Sequence, residues 1–179
     1  MILGIDEIHK LVDEIKLLEN LSERELINPE GAGIDLRLGK LLRLEGGGFL
    51  GIDERETPKG ILVAEFDPVK RSSIIIKPGE YFLTESVEKF NMPLNLLAIV
   101  KPRTTLHRSG IITRVSVVDP GYSGTIHPAI FNAGPVSVEI ELGARYVNAM
   151  FFEVKGRAAS YRGQWQGGRI DTGGREKQI

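Results

Sequence analysis

Asp119-Pro120-Gly121-Tyr122 has the makings of a reaction centre. In a type II β-turn proline presets φ at the second position and glycine supplies a positive φ at the third, so this tetrapeptide is suited to hold Asp119 at a strand end. A carboxylate fixed on rigid backbone can orient a water and take its proton. Two readings stand side by side: such a base, or a turn aspartate whose side chain only accepts backbone N–H bonds. No acidic residue follows until Glu139.

A second group runs from Lys101 to Gly110, K-P-R-T-T-L-H-R-S-G. Arg103 and Arg108 donate in planar forks, and Thr104 and Thr105 add neutral donors, which is what phosphate oxygens require. A solvated, salt-bridged loop has the same composition. A third group is the tail Y-R-G-Q-W-Q-G-G-R-I, in which Tyr161 or Trp165 could stack on a base while Arg169 reaches phosphate. Arginine and glycine interleaved with aromatics also describe segments that bind single-stranded nucleic acid, and disordered tails.

Other chemistries are excluded or weak. There is no cysteine, hence no disulfide, thiol nucleophile or thiolate-bound zinc. His9, His107 and His127 lack the H-x-x-x-H or H-E-x-x-H spacing of a metal site. No G-x-S-x-G elbow, phosphate-loop motif or dinucleotide fingerprint is present. The formal net charge of -1 offers no overall footprint for nucleic acid or anionic membrane. That sum hides a tail of +4 from Lys155 onward and a body of -5, so the tail is the part suited to an anionic ligand. With neither an apolar h-region nor an 18-residue apolar run, the chain reads as a soluble cytoplasmic protein without a membrane partner.

The elements that must position these groups follow from periodicity. Ile5, Ile8, Leu11, Val12, Ile15 and Leu18 make one apolar stripe on a helix from about Asp6 to Glu19. Ser22 with Glu25 forms a capping-box pattern for a second short helix ending at Asn28-Pro29. From there the period is two: I-D-L-R-L, S-I-I-I-K, E-Y-F-L-T, L-L-A-I-V, the runs 111–118 and 124–131, V-S-V-E-I-E-L and R-Y-V-N-A-M-F-F-E-V are short and β-rich, with turn residues between most of them. This spacing predicts a mainly β, mostly antiparallel barrel or sandwich. The stretch 45–68 reads as a long excursion from the sheet, and the tail 155–179 cannot build a core of its own. A chain of 179 residues is most simply one domain, with an N-terminal helical segment over 1–28.

In order, A-G-I-D-L-R at 32–37, P-R-T-T at 102–105, D-P-G-Y-S-G at 119–124 with Asn132, G-A-R-Y-V-N at 143–148 and the Gly/Arg tail resemble the motifs of the dUTPase and dCTP deaminase superfamily. L-S-E-R-E-L and T-L-H-R-S-G look more like the dCTP deaminase branch, which includes archaeal dUTPase-like members. The resemblance implies a distorted antiparallel β-barrel (dUTPase-like, β-clip) with a flexible closing tail, assembled as a homotrimer with shared active sites. It implies that Asp119 activates the attacking water and that Tyr122 lies under the deoxyribose. Arg103, Thr104, Thr105 and Arg108 would hold the triphosphate, with Mg²⁺ bound mainly through the phosphates and water. Thr113 to Val117, and His127 to Ala129, would border the pyrimidine, and Gln164 and Arg169 would close over the nucleotide.

Departures from the pattern are informative. Ala129 stands where dCTP deaminases of this family carry a glutamate that moves protons at the ring, and a methyl group can neither take nor give one. Glu139 or Glu141 on the following strand is the nearest carboxylate in sequence that could substitute. Thr104-Thr105 replaces the usual serine pair, Asn148 a common glutamine, and the tail lacks the usual G-F-G-S-T-G. The expectation is a dUTP diphosphatase acting on deoxyuridine triphosphate with Mg²⁺. The alternatives are a dCTP deaminase or bifunctional enzyme, and a non-catalytic trimer that binds nucleotide or nucleic acid.

Overall fold

The computed structural model describes residues 1–178. Its N-terminal helix spans Ile5–Ile15 and buries Ile8, but stops short of the expected Glu19. Lys16 takes a left-handed φ of 54° and its N–H closes on the Leu11 and Val12 carbonyls. Past that cap Leu17 and Leu18 are buried, and Leu18–Glu19 pairs with Phe90 and Lys89 as a short strand. Burying two leucines, worth about 1.5–3 kcal/mol each, outweighs another helical turn.

Ser22 caps the second helix, Glu23–Ile27, accepting the Glu25 amide at 3.4 Å. The reciprocal half of the capping box is not made. Glu25 turns inward instead, accepts the Asp35 amide at 3.0 Å, and sits 2.6 Å from Arg24 and 3.7 Å from Arg145. A buried carboxylate needs such partners more than the helix end needs its cap.

The main sheet is antiparallel, in the order Ile111–Arg114, Ala129–Asn132, Tyr81–Ser86, Ile34–Glu45, Arg145–Glu153, Leu96–Pro102. Lys59–Glu65 joins the far half of Ile34–Glu45, so the end of the 45–68 excursion returns to the sheet. The two ends of the order meet where Ala98 and Val118 exchange N–H···O bonds of 2.9 and 2.8 Å. The result is a nearly closed, distorted antiparallel β-barrel, as expected.

Two expected strands are shorter than the β-rich runs. The first ends at Arg114, and the second divides into Ser123–Thr125 and Ala129–Asn132 around Pro128. Proline has no N–H for the ladder; its carbonyl still accepts the Thr84 amide and hydroxyl. Within the barrel, Ile34, Leu36 and Leu38 alternate inward against Tyr146, Phe151 and Ile130, all fully buried. The Tyr146 hydroxyl is satisfied by Thr84 at 3.1 Å. Among the described residues no helix is long and apolar enough to cross a membrane.

Glu88 is sealed inside this frame and accepts both the backbone N–H and the Nε of Arg37 at 2.7 Å. Burial pushes the Glu88 carboxyl above the usual range, and the Arg37 contacts only partly offset it. A raised carboxyl favours the folded state below its ordinary value of 4.5, and that contribution is lost as pH rises. Arg37→Ala should therefore cost about 3–5 kcal/mol in urea unfolding at neutral pH, and less on acidification, because the unpaired carboxyl can then protonate.

Candidate active site

Asp119 stands directly after Val118, the residue that closes the barrel on Ala98. The Tyr122 amide donates to the Asp119 carbonyl at 3.1 Å and Gly121 has φ 79°, the value a type II turn requires at its third residue. The turn is thus held by its own backbone. Among the described residues the Asp119 carboxylate makes no hydrogen bond or ion pair, so it is not committed to stabilising the turn. It faces a cavity of about 450 Å³.

That cavity has apolar walls from Leu44, Leu83, Val115 and Ile126, and Tyr122, His127, Trp165 and Arg169 also face it. Burial first, and the neighbouring Tyr161, push the Tyr122 phenol up to about 12, so it serves as a neutral surface rather than as an acid or base. Tyr161 meets it edge-on with ring centroids 5.4 Å apart.

The tail covers the cavity of its own chain. Tyr161 N donates to Pro120 O and Gly167 N to Ser123 O, each at 2.7 Å, and Gln166 bonds Gly121 O and Ser123 N. Glycine is needed beneath it, because a Cβ on Gly124 would collide with the backbone of Gly167 and Gly168. The outer part of the tail is received by the 45–68 excursion. Glu176–Lys177 pairs with Glu54–Glu56, Thr57 and Thr172 exchange amide-to-hydroxyl bonds of 3.1 Å, and Asp171 accepts the Gly60 amide at 3.0 Å. Arg55 lies 4.6 Å from the centroid of Trp165 and 3.0 Å from Glu176, which also pairs with Arg169 at 2.8 Å. Sequence reasoning missed Arg55 and this docking role. The interleaved charges at 53–56 are the only local trace of it, since the partners lie more than a hundred residues away.

The other expected residues divide sharply. Gln164 does not face the cavity; its amide donates to Lys177 O at 2.7 Å within the tail. Ala129 is buried on the same sheet face as its partner Leu83, which lines the cavity. Glu139 and Glu141 lie on Val138–Glu141, paired with Ser73–Ile76, and Glu139 accepts the Ser73 hydroxyl outside the cavity.

Arg103, Thr104, Thr105 and Arg108 are not brought to Asp119. They lie on or just before the one-turn helix Thr104–Arg108, beyond the far end of Leu96–Pro102. Five residues separate Ala98, beside Asp119, from Arg103, which at strand rise is roughly 17 Å. Arg103 reaches Asp35 at 3.4 Å, and Asp35 also holds Arg145 at 2.9 Å and Asn148 at 3.0 Å. Thr113 sits with this group, in a separate hollow beside Pro102, His107, Gly110 and Ile112, and its buried hydroxyl has no partner. One chain therefore holds the expected residues in two separate groups.

A nearly closed antiparallel barrel carrying an uncommitted strand-end carboxylate under a tail-covered cavity defines the class. The chain belongs to the dCTP deaminase-like family, whose model matches residues 2–154. It is 32% identical over 152 residues to a dCTP deaminase of Pyrococcus furiosus, covering 84% of this chain and 85% of that one. It is 33% identical over 142 residues to a probable deoxyuridine 5'-triphosphate nucleotidohydrolase of Methanothermobacter thermautotrophicus, covering 79% and 89%. Among solved structures, a dCTP deaminase from Agrobacterium tumefaciens shares the fold with a TM-score of 0.64 at 19% identity, over 84% of this chain and 47% of that one. A dUTPase of phage phi11 does so at 0.51 and 11% identity, over 80% and 94%.

Trp165 is the single tryptophan, so its fluorescence reports whether the tail is docked. Arg55→Ala should red-shift that emission and raise its quenching by iodide, while lowering stability by only about 0.5–1 kcal/mol.

Proposed function

We propose that this protein is a dUTP diphosphatase, converting dUTP and water to dUMP and pyrophosphate. The observation that carries the reading is the free Asp119 carboxylate facing a cavity walled by Tyr122, with a methyl group at position 129. Asp119 takes a proton from water as its oxygen attacks the α-phosphorus, and pyrophosphate leaves. Tyr122 packs against the sugar, and the tail excludes bulk water and brings Arg169 to the phosphates. No three His, Asp or Glu side chains gather into a metal cage among the described residues, so triphosphate oxygens would have to supply most ligands of a Mg²⁺ ion. The solved phage phi11 dUTPase has a structural Mg(II) ion. Bound Mg²⁺ would offset charge on the transferring phosphoryl group.

Deamination is the rival, since relatives of similar identity are dCTP deaminases. Against it stands the absence of a free carboxylate at the cavity floor: position 129 offers only a methyl, and Glu139 and Glu141 lie elsewhere. Removing a positioned acid/base group typically costs ~10²- to 10⁴-fold in rate.

The two separate groups support assembly of each active site from two subunits of a homotrimer. Tyr81, Phe131 and Ile112 form an in-register, solvent-exposed apolar row beside the Thr113 hollow, a surface suited to a second copy. Arg103, Thr104, Thr105 and Arg108 of one copy would then hold the triphosphate over Asp119 of another.

The protein should release pyrophosphate from dUTP with Mg²⁺; ammonia from dCTP at an ordinary turnover rate would overturn the assignment. Asp119→Asn should lower kcat by ~10²- to 10⁴-fold while nucleotide affinity stays within a few-fold, as read by calorimetry. Asp119→Asn and Arg103→Ala should each be inactive as pure proteins. Mixed one to one with subunit exchange, they should regain roughly a quarter of wild-type activity, the share of sites that draw an intact group from each copy.

A further inference from the structure

In the cavity His127, expected at the pyrimidine, is paired with Glu85, a residue none of the motifs singles out. Ser86 N donates to Ile126 O and Thr84 N to Pro128 O, so Glu85 and His127 face each other across the two strands. Glu85 Oε2 lies 3.2 Å from His127 Nε2, and Lys40 holds the other carboxylate oxygen at 2.9 Å. Both side chains of the pair are nearly buried, at 13% and 12% exposure. The pair is one same-face step, about 7 Å, from Ala129 and its partner Leu83.

We propose that His127, oriented by Glu85, reads the base in this cavity and selects a pyrimidine with a proton on ring nitrogen N3, as uracil has, over cytosine. The inference rests on the dUTP reading in that the same cavity takes the nucleotide.

Burial alone would raise the Glu85 carboxyl, but the hydrogen bonds from His127 and Lys40 prevail and leave it below the usual range. An ionised carboxylate can only accept, so in the neutral form of His127 the proton sits on Nε2 and Nδ1 keeps a lone pair. Nδ1 has no protein partner, yet the only sealed, unpartnered side-chain atom among the described residues is Thr113 Oγ1. Nδ1 is therefore not sealed from solvent, and His127 lines the cavity. Uracil N3–H donates to such a lone pair, whereas cytosine N3 opposes it with a lone pair of its own. A site built around one hydrogen bond rejects a ligand that leaves its polar atom unpaired. Lys40, itself 3.7 Å from Glu65, lies behind Glu85; Asp119, Arg169, Tyr122 and Tyr161 are the other titratable groups facing the cavity. With its two partners, Glu85 is no free replacement for the carboxylate missing at 129.

The test measures binding of α,β-imido-dUTP and α,β-imido-dCTP by calorimetry, with thermal unfolding as the control for folding. Wild type should prefer the uracil analogue. In His127→Leu the Kd ratio should fall by about tenfold, mainly through weaker uracil binding. Glu85→Gln should also lower the ratio with the ring still in place, because its amide can donate to Nε2 and move the imidazole proton to Nδ1. A merely structural role would lower stability or both affinities together without changing the ratio. Unchanged ratios in both variants overturn the proposal, as does wild type that binds the analogues equally or binds neither. Pyrophosphate release by wild type, assayed in parallel, separates this from the catalytic reading. Release with ratios that ignore both variants sinks only the base-reading role; a responsive ratio without release sinks only the hydrolysis.

Discussion

Val118 and Ala98 exchange two backbone hydrogen bonds, and the site depends on that exchange more than on any side chain. It joins the segment after one edge strand to the strand at the opposite edge, turning a curved sheet into a nearly closed barrel. Closure satisfies edge groups that would otherwise stand open. It also fixes the next residue, Asp119, at a strand end, where the Pro-Gly turn redirects the chain before its carboxylate can be drawn into the ladder. Val115 to Val117, freed from the sheet just before the closure, become one wall of the cavity.

The same closure holds the arginine-rich group apart from Asp119 within one chain. Leu96–Pro102 runs away from Asp119 along its whole length before delivering Arg103 and the helix Thr104–Arg108 at its other end. Backbone rigidity makes that separation permanent within a subunit. The arginine-rich group is steadied there by Asp35, whose two oxygens are shared among Arg103, Arg145 and Asn148. Asp35 thus links the first and second motifs to the fourth through one carboxylate.

The tail gains its order from a surface made elsewhere. Alone it has too few apolar side chains to hold a structure, but the turn at Pro120–Ser123 offers carbonyls and an amide, and the excursion offers a strand edge, Thr57 and Arg55. Most of these contacts are polar and near solvent, each worth little by itself. A cover of many weak contacts can open without unfolding the barrel beneath it.

The barrel class, the turn at Asp119 and the cap at Ser22 were legible in the sequence because they rest on local chemistry: alternation, proline and glycine placement, and a capping pattern. The missing carboxylate at 129 was likewise read from motif order alone. The early end of the first helix, the split strand around Pro128, the inward turn of Glu25 and the docking of the tail on Arg55 were not legible. Each is decided by partners far along the chain whose burial or pairing outweighs local preference. The pairing of Glu85 with His127 belongs to the same group: Glu85 does not stand out in its own stretch, and only the register of two strands places its carboxylate behind a histidine that faces the cavity.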